Sequence, residues 1–171
     1  MDECLEVKLD SNAIFIGNNP VFLFSSDFHY YLIPQKTWDN ELKNIKKIGF
    51  NAISVYIPWI FHEIEEDKFD FKSENRNLKK LFDLCKKYQL YVYCRPGPRN
   101  SKIIQNSGYP LWLFEKYKEI LDSSFSNKNP SKKNQKNQKK QKKQKTPLIS
   151  FLHPKYLEKV KIWYKRIFSI I

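Results

Sequence analysis

From Ser25 to Leu113 the chain repeats one arrangement three times: a short strand-like apolar run, a cluster of polar and aromatic residues at its end, then a helical pattern. The clusters are SSDFHYY (Ser25–Tyr31), SVYIPWIFHE (Ser54–Glu63) and YVYCRPGPRN (Tyr91–Asn100). Strand, polar cluster and helix in rotation is the order in which a (β/α)8 barrel assembles its active face, because the carboxyl ends of the strands carry the chemistry. A complete barrel takes about 250 residues, and this chain has 171. The expectation is therefore an α/β fold: a partial TIM (β/α)8 barrel, roughly the first three β/α units, preceded by a short β-hairpin.

The elements follow from local patterns. Leu5–Leu9 and Ala13–Ile16 flank Asp10–Asn12 and lead to the turn signal Gly17–Pro20, which reads as the hairpin. Val21–Ser25 reads as the first parallel strand, buried on both faces. After Pro34, residues Trp38, Leu42, Ile45 and Ile48 recur at helical spacing, and Gly49 supplies the left-handed stop. Ala52–Ile57 and Leu90–Cys94 read as the second and third strands, with an amphipathic helix over Asn77–Tyr88 between them. Pro96-Gly97-Pro98 cannot continue a strand. Glu65-Glu66-Asp67 reads as a solvated turn and Trp112 as a core aromatic. Near Pro154 a last helix begins, with Tyr156, Leu157, Val160, Trp163, Ile167 and Ile170 on its apolar stripe.

The formal charge of +13 looks at first like a nucleic-acid signal, but nine lysines and no acids fall between Ser126 and Thr146, leaving about +4 on the rest. That Lys/Gln/Asn-rich stretch contains no apolar side chain with which to offset the entropy of ordering, so residues 126–146 read as a disordered insert within a single 1–171 domain. It has neither aromatics for stacking nor arginines for base edges, so a nucleic-acid partner stays the alternative and not the main reading. Cys4, Cys85 and Cys94 are too few and too scattered for a disulfide framework or a zinc site. His29 and His62 have no further ligand residues at metal spacing, and we expect neither metal nor cofactor. With no apolar leader and no run of 18 apolar residues, the expected setting is cytoplasmic, without a membrane partner.

Six separated segments carry a resemblance: FLFSSDFHYYLIP, W…LKNIKKIGFNAISVYIPWIFHE, KFDF, RPGP, GYPLWL and HPKYLEKVKIWY. In order and spacing they resemble the N-terminal part of the glycoside hydrolase family 35 catalytic barrel, of the β-galactosidase type, over about Leu9 to Ile171. The resemblance implies a retaining hydrolase of terminal β-galactosyl groups, acting on a β-galactoside or related oligosaccharide. Such chemistry needs two carboxyl groups about 5 Å apart. In the family these are glutamates at the ends of the fourth and seventh strands, so both are expected beyond the C-terminus, and this chain is expected to have no catalytic residue and no activity alone. A second polypeptide completing the barrel and a truncated, non-catalytic sugar-binding relative are the other outcomes the resemblance leaves open.

By motif position Tyr56 matches a galactose-contacting tyrosine. His29, Tyr30, Trp59, His62, Glu63 and Arg95 match strand-end positions that shape the pocket. Asp27 and Glu63 could be imagined as a catalytic pair, but neither position is catalytic in the family, and bonding to loop amides or to an arginine is the expected task. One departure matters: after RPGP the family continues to a Cys-Ala-Glu-Trp stretch whose glutamate binds a sugar hydroxyl, and here Ile103 stands in that place. An isoleucine accepts no hydrogen bond, so the expected substrate differs from a simple galactoside or the affinity is lost.

Overall fold

In a computed structural model, residues 6–99, 104–121 and 148–171 are described. Cys4, Ile103 and the lysine-rich 126–146 stretch lie outside the described residues. The chain divides into two compact units, Met1–Val55 with Lys80–Cys94, and Tyr56–Lys79 with Arg95–Ile171.

The first unit opens with β1 (Val7–Leu9), β2 (Ile14–Ile16) and β3 (Asn19–Val21), an antiparallel meander and not a single hairpin. Asp10 takes the amides of Asn12 and Ala13 at 2.7 Å each, which turns the chain between β1 and β2. Gly17, at φ 62°, starts the two-residue turn into β3, a position where an L side chain would be strained.

The expected first strand, Val21–Ser25, is corrected: Val21 closes β3, and the parallel strand is β4 (Ser25–Asp27). Between them the Asn51 amide clips the backbone, Nδ2 donating to the Phe22 carbonyl at 2.7 Å and Oδ1 accepting from the Phe24 amide at 2.8 Å. The side chain takes these two groups while the Phe24 carbonyl still accepts from the backbone amides of Asn51 and Ala52, at 3.1 and 3.3 Å. Phe22 is left 83% exposed while Phe24 stacks on Phe50 at 4.4 Å. Nor is β4 buried on both faces, since Ser25 and Asp27 are exposed.

β4 pairs in parallel with β5 (Ala52–Tyr56), Ser25 opposite Ala52 and Asp27 opposite Ser54. β8 (Tyr91–Arg95) lies on the other side of β5. Tyr91 N donates to Asn51 O and Ile57 N to Arg95 O, so start meets start, end meets end, and β8 runs the same way. After a 3₁₀ turn at Gln35–Thr37, α1 (Trp38–Ile48) buries Trp38 and Leu42 and stops at Gly49 with φ 108°, as its sequence predicts. Ile48 is 72% exposed and leaves the expected stripe. α3 (Leu78–Lys87) buries Leu78, Leu81 and Cys85, with Lys79, Lys80, Lys86 and Lys87 facing water.

The second unit holds α2 (Trp59–His62), the antiparallel pair β6 (Glu63–Glu65) and β7 (Lys68–Phe69), α4 (Leu111–Lys116) and α5 (Pro154–Phe168). His153 caps α5 by accepting from the Lys155 amide at 3.2 Å, with Pro154 at the first turn. The buried stripe of α5 is Tyr156, Lys159, Trp163 and Ile167, whereas Leu157 is about half exposed. Lys159 faces inward because its ammonium meets Glu66 at 2.5 Å. The solvated reading of the 65–67 turn holds for the exposed Glu65 and Asp67 and is corrected at Glu66, which is 12% exposed and also takes Lys116 Nζ, at 2.8 Å, and the Tyr117 hydroxyl. Leu121 bridges Ile149 antiparallel, and Ser150 N donates to Ile120 O at 2.8 Å. No helix among the described residues is long and apolar enough to cross a membrane.

Candidate functional site

Where β5 leaves its sheet, Tyr56 is half-buried, Ile57 is fully buried, and Pro58 in extended backbone opens α2. Where β8 ends, the Arg95 carbonyl accepts from Ile57 N at 3.0 Å and the Arg95 guanidinium carbon lies 4.0 Å from the Tyr56 ring centroid. That distance is a close cation–π contact, which orients the planar guanidinium over the ring. The pair offers a phenol and a fork of N–H donors, groups suited to sugar hydroxyls.

Beyond Arg95 the chain runs through Pro96 and Gly97, whose carbonyls accept from Trp163 Nε1 at 2.7 Å and from the Tyr164 hydroxyl at 2.6 Å. Trp163 also stacks on Trp59, with centroids 5.7 Å apart and planes 16° off parallel. Trp59 is 1% exposed and donates its Nε1–H to Glu63 Oε2 at 2.5 Å. The other carboxylate oxygen takes the Asp67 amide at 2.7 Å, and Trp112 Nε1 donates to the Glu63 carbonyl at 3.1 Å. Burial pushes the Glu63 carboxyl above its ordinary range, against the pull of the Trp59 and Asp67 bonds. Both of its oxygens are occupied by the fold, the second by a loop amide.

His62 is 1% exposed, its ring stacked on Phe71 at 4.8 Å. Its Nδ1 lies 2.7 Å from the Asp70 carbonyl, which can only accept, so the proton sits on Nδ1. Asp70 N returns a bond to the His62 carbonyl at 2.8 Å. Burial holds the imidazole down at about 4, from an ordinary 6.5. As pH falls between these values the unfolded chain takes a proton that the folded one refuses. Stability present above 6.5 is therefore lost progressively down to about 4, by roughly 3 kcal/mol in total. Urea unfolding of the parent and of His62→Phe at neutral pH and near pH 4 checks this: the parent is expected to show the steeper loss, and equal slopes would remove His62 as its source.

His29 and Tyr30 follow β4 in the first unit. Tyr30 is fully buried, edge-on to Trp38 at 6.0 Å and to Tyr31 at 5.5 Å. His29 is half-buried with Nδ1 3.4 Å from the Tyr31 hydroxyl. The structure thus brings Tyr56, Trp59, His62, Glu63 and Arg95 into one unit and leaves His29 and Tyr30 in the other. Within the first group only Tyr56 and Arg95 keep side chains partly open, the other three being buried. No set of three or more His, Cys, Asp or Glu among the described residues is gathered to hold a metal ion. Sequence reasoning did not single out Trp163 and Tyr164 as site residues; the available signal was Pro96-Gly97-Pro98, whose proline nitrogens carry no N–H and whose carbonyls still need donors.

The family profile of the Glycosyl hydrolases family 35 matches residues 13–129. A β-1,2-glucosyltransferase of Ignavibacterium album is 34% identical over 166 residues, 95% of this chain and 21% of that protein. An exo-β-D-glucosaminidase of Pyrococcus horikoshii is 31% identical over 170 residues, 98% of this chain and 20% of the relative. A probable β-galactosidase B of Emericella nidulans is 35% identical over 108 residues, 63% of this chain and 10% of the relative. The chain thus spans about a fifth or less of the length of these relatives. The matched profile runs from β2 through both strand ends that carry Tyr56 and Arg95 and past α4, and on that match the chain belongs to the Glycosyl hydrolases family 35.

Proposed function

We propose that this chain is the N-terminal part of the catalytic barrel of a retaining β-glycosidase of the β-galactosidase type, and that it supplies sugar contacts but neither catalytic carboxyl. The observation that carries the reading is the Arg95 guanidinium lying 4.0 Å over the Tyr56 ring at the ends of neighbouring strands, where barrel enzymes of this kind hold their substrates. Parallel β4, β5 and β8, with α1 and α3 following the first two in sequence, support the barrel. In this reading 126–146 is an insert in one domain, consistent with the bridge between Leu121 and Ile149 on its flanks, since lengthening a loop costs little closure entropy. The buried, unpaired Cys85 thiol fits a reducing, cytoplasmic setting.

A terminal β-glucosaminide is the second reading of the substrate. Similarity to two exo-β-D-glucosaminidases runs over 98% and 97% of this chain, against 63% for a probable β-galactosidase B, and Ile103 stands where the resemblance implies a glutamate that binds a sugar hydroxyl. The test is ligand-observed NMR with methyl β-galactoside and methyl β-glucosaminide, alongside chromogenic substrates. The expected result is weak binding of one glycoside, lost in Tyr56→Leu, and no turnover by the 171-residue chain. Turnover abolished by Asp27→Asn or Glu63→Gln would overturn the reading.

A further inference from the structure

We propose that α5 sets the geometry of the sugar-facing end of β8: Trp163 and Tyr164 are positioning residues that hold Arg95 over Tyr56. This rests on the reading of Tyr56 and Arg95 as sugar contacts. Beyond Arg95 the backbone cannot be fixed by a strand ladder, because Pro96 and Pro98 have no N–H to give. Its two free carbonyls are instead taken by side chains, Trp163 Nε1 on Pro96 at 2.7 Å and the Tyr164 hydroxyl on Gly97 at 2.6 Å. Neighbouring residues on a helix point about 100° apart, so one turn of α5 grips two successive carbonyls from two directions.

The same indole reaches the other strand end. Trp163 is fully buried and stacks on Trp59 at 5.7 Å, three residues beyond Tyr56, so a single side chain bears on the segments that carry both sugar-facing groups. Arg95 sits between two fixed points, the bond from Ile57 N to its own carbonyl and the Trp163 bond to the next one. With both in place the guanidinium has one backbone from which to reach the Tyr56 ring. Releasing Pro96 or Gly97 frees that backbone on one side, and displacements near 1 Å at a binding group are enough to weaken a site strongly.

Tyr164→Phe removes one oxygen from a half-buried residue, and Trp163→Phe keeps a ring against Trp59 while deleting the N–H. The Arg95 Nε–H resonance reports the contact directly, through shielding by the Tyr56 ring, with Tyr56→Leu as the unshielded reference. Both variants are expected to keep the parent's circular dichroism, to move the Arg95 resonance toward that reference, and to weaken methyl glycoside binding roughly tenfold. Because Trp163→Phe alters a core residue, Tyr164→Phe alone decides if the former does not fold. An Arg95 resonance unmoved in folded Tyr164→Phe and Trp163→Phe overturns the proposal. A moved resonance in a chain that binds neither methyl glycoside upholds the positioning role and sinks the sugar reading.

Discussion

Glu66→Ala is expected to destabilise the unit that carries it by about 3 kcal/mol, measured by urea unfolding at neutral pH. The Glu66 and Lys159 side chains are only 12% and 9% exposed and meet at 2.5 Å. The loss comes less from the missing attraction than from the ammonium left behind, because a buried charge without its partner bears its whole desolvation cost. Lys116, with its side chain 56% exposed, can turn to water and contributes little. Glu66→Ala with Lys159→Met removes both charges, and the double variant is expected to be more stable than Glu66→Ala alone. A cost below about 1 kcal/mol would mean that the pair behaves as an exposed one.

The protonation state points the same way. Burial pushes the Glu66 carboxyl up, but hydrogen bonds from Lys116, Lys159 and Tyr117, with the Lys159 charge, outweigh it and hold the group at about 2 instead of 4.5. Its stabilising contribution is therefore complete above 4.5 and lost as pH falls toward about 2. That window overlaps the one in which His62 acts only between about 4 and 4.5, so the two can be separated in one acid titration.

Features written in local pattern were legible in the sequence: α1, α3 and α5 by their apolar spacing, Gly49 as a stop, and β5 and β8 as apolar runs. Family membership was legible too, because its motifs sit at the ends of those runs. What escaped the reading depends on partners distant in sequence. Val21–Ser25 reads as one strand until the Asn51 side chain, more than 20 residues on, takes the Phe22 carbonyl and the Phe24 amide. Glu66 looks like one acid among three in a solvated turn, and only the approach of Tyr117 and Lys159 takes it from water. The same distance hid the lysine on the inner stripe of α5 and the grip of Trp163 on Pro96. The candidate site residues all came from motif position, and the structure adds that Tyr56 and Arg95 stay partly open while Trp59, His62 and Glu63 are buried and support the segment from within.

Trp38→Ala is expected to cost the first unit about 3–5 kcal/mol, the range for truncating a large buried aromatic. Trp38 is fully buried at the start of α1, with Phe28 and Tyr30 edge-on at 6.5 Å and 6.0 Å. Its Nε1 donates to the Ile33 carbonyl at 2.9 Å, tying the segment before the helix to the helix itself. Truncation therefore opens a cavity beside two aromatics and leaves that carbonyl without its donor. Trp38→Phe separates the two contributions, since it keeps a ring in place and removes the N–H, and about 1–2 kcal/mol is expected. Tyr30 precedes Tyr31, whose hydroxyl meets His29, so the alanine variant should also change the His29 ring resonances while the phenylalanine variant leaves them near the parent's. If the phenylalanine variant already shows the full loss, the energy resides in the bond to Ile33 and not in the packing of the indole.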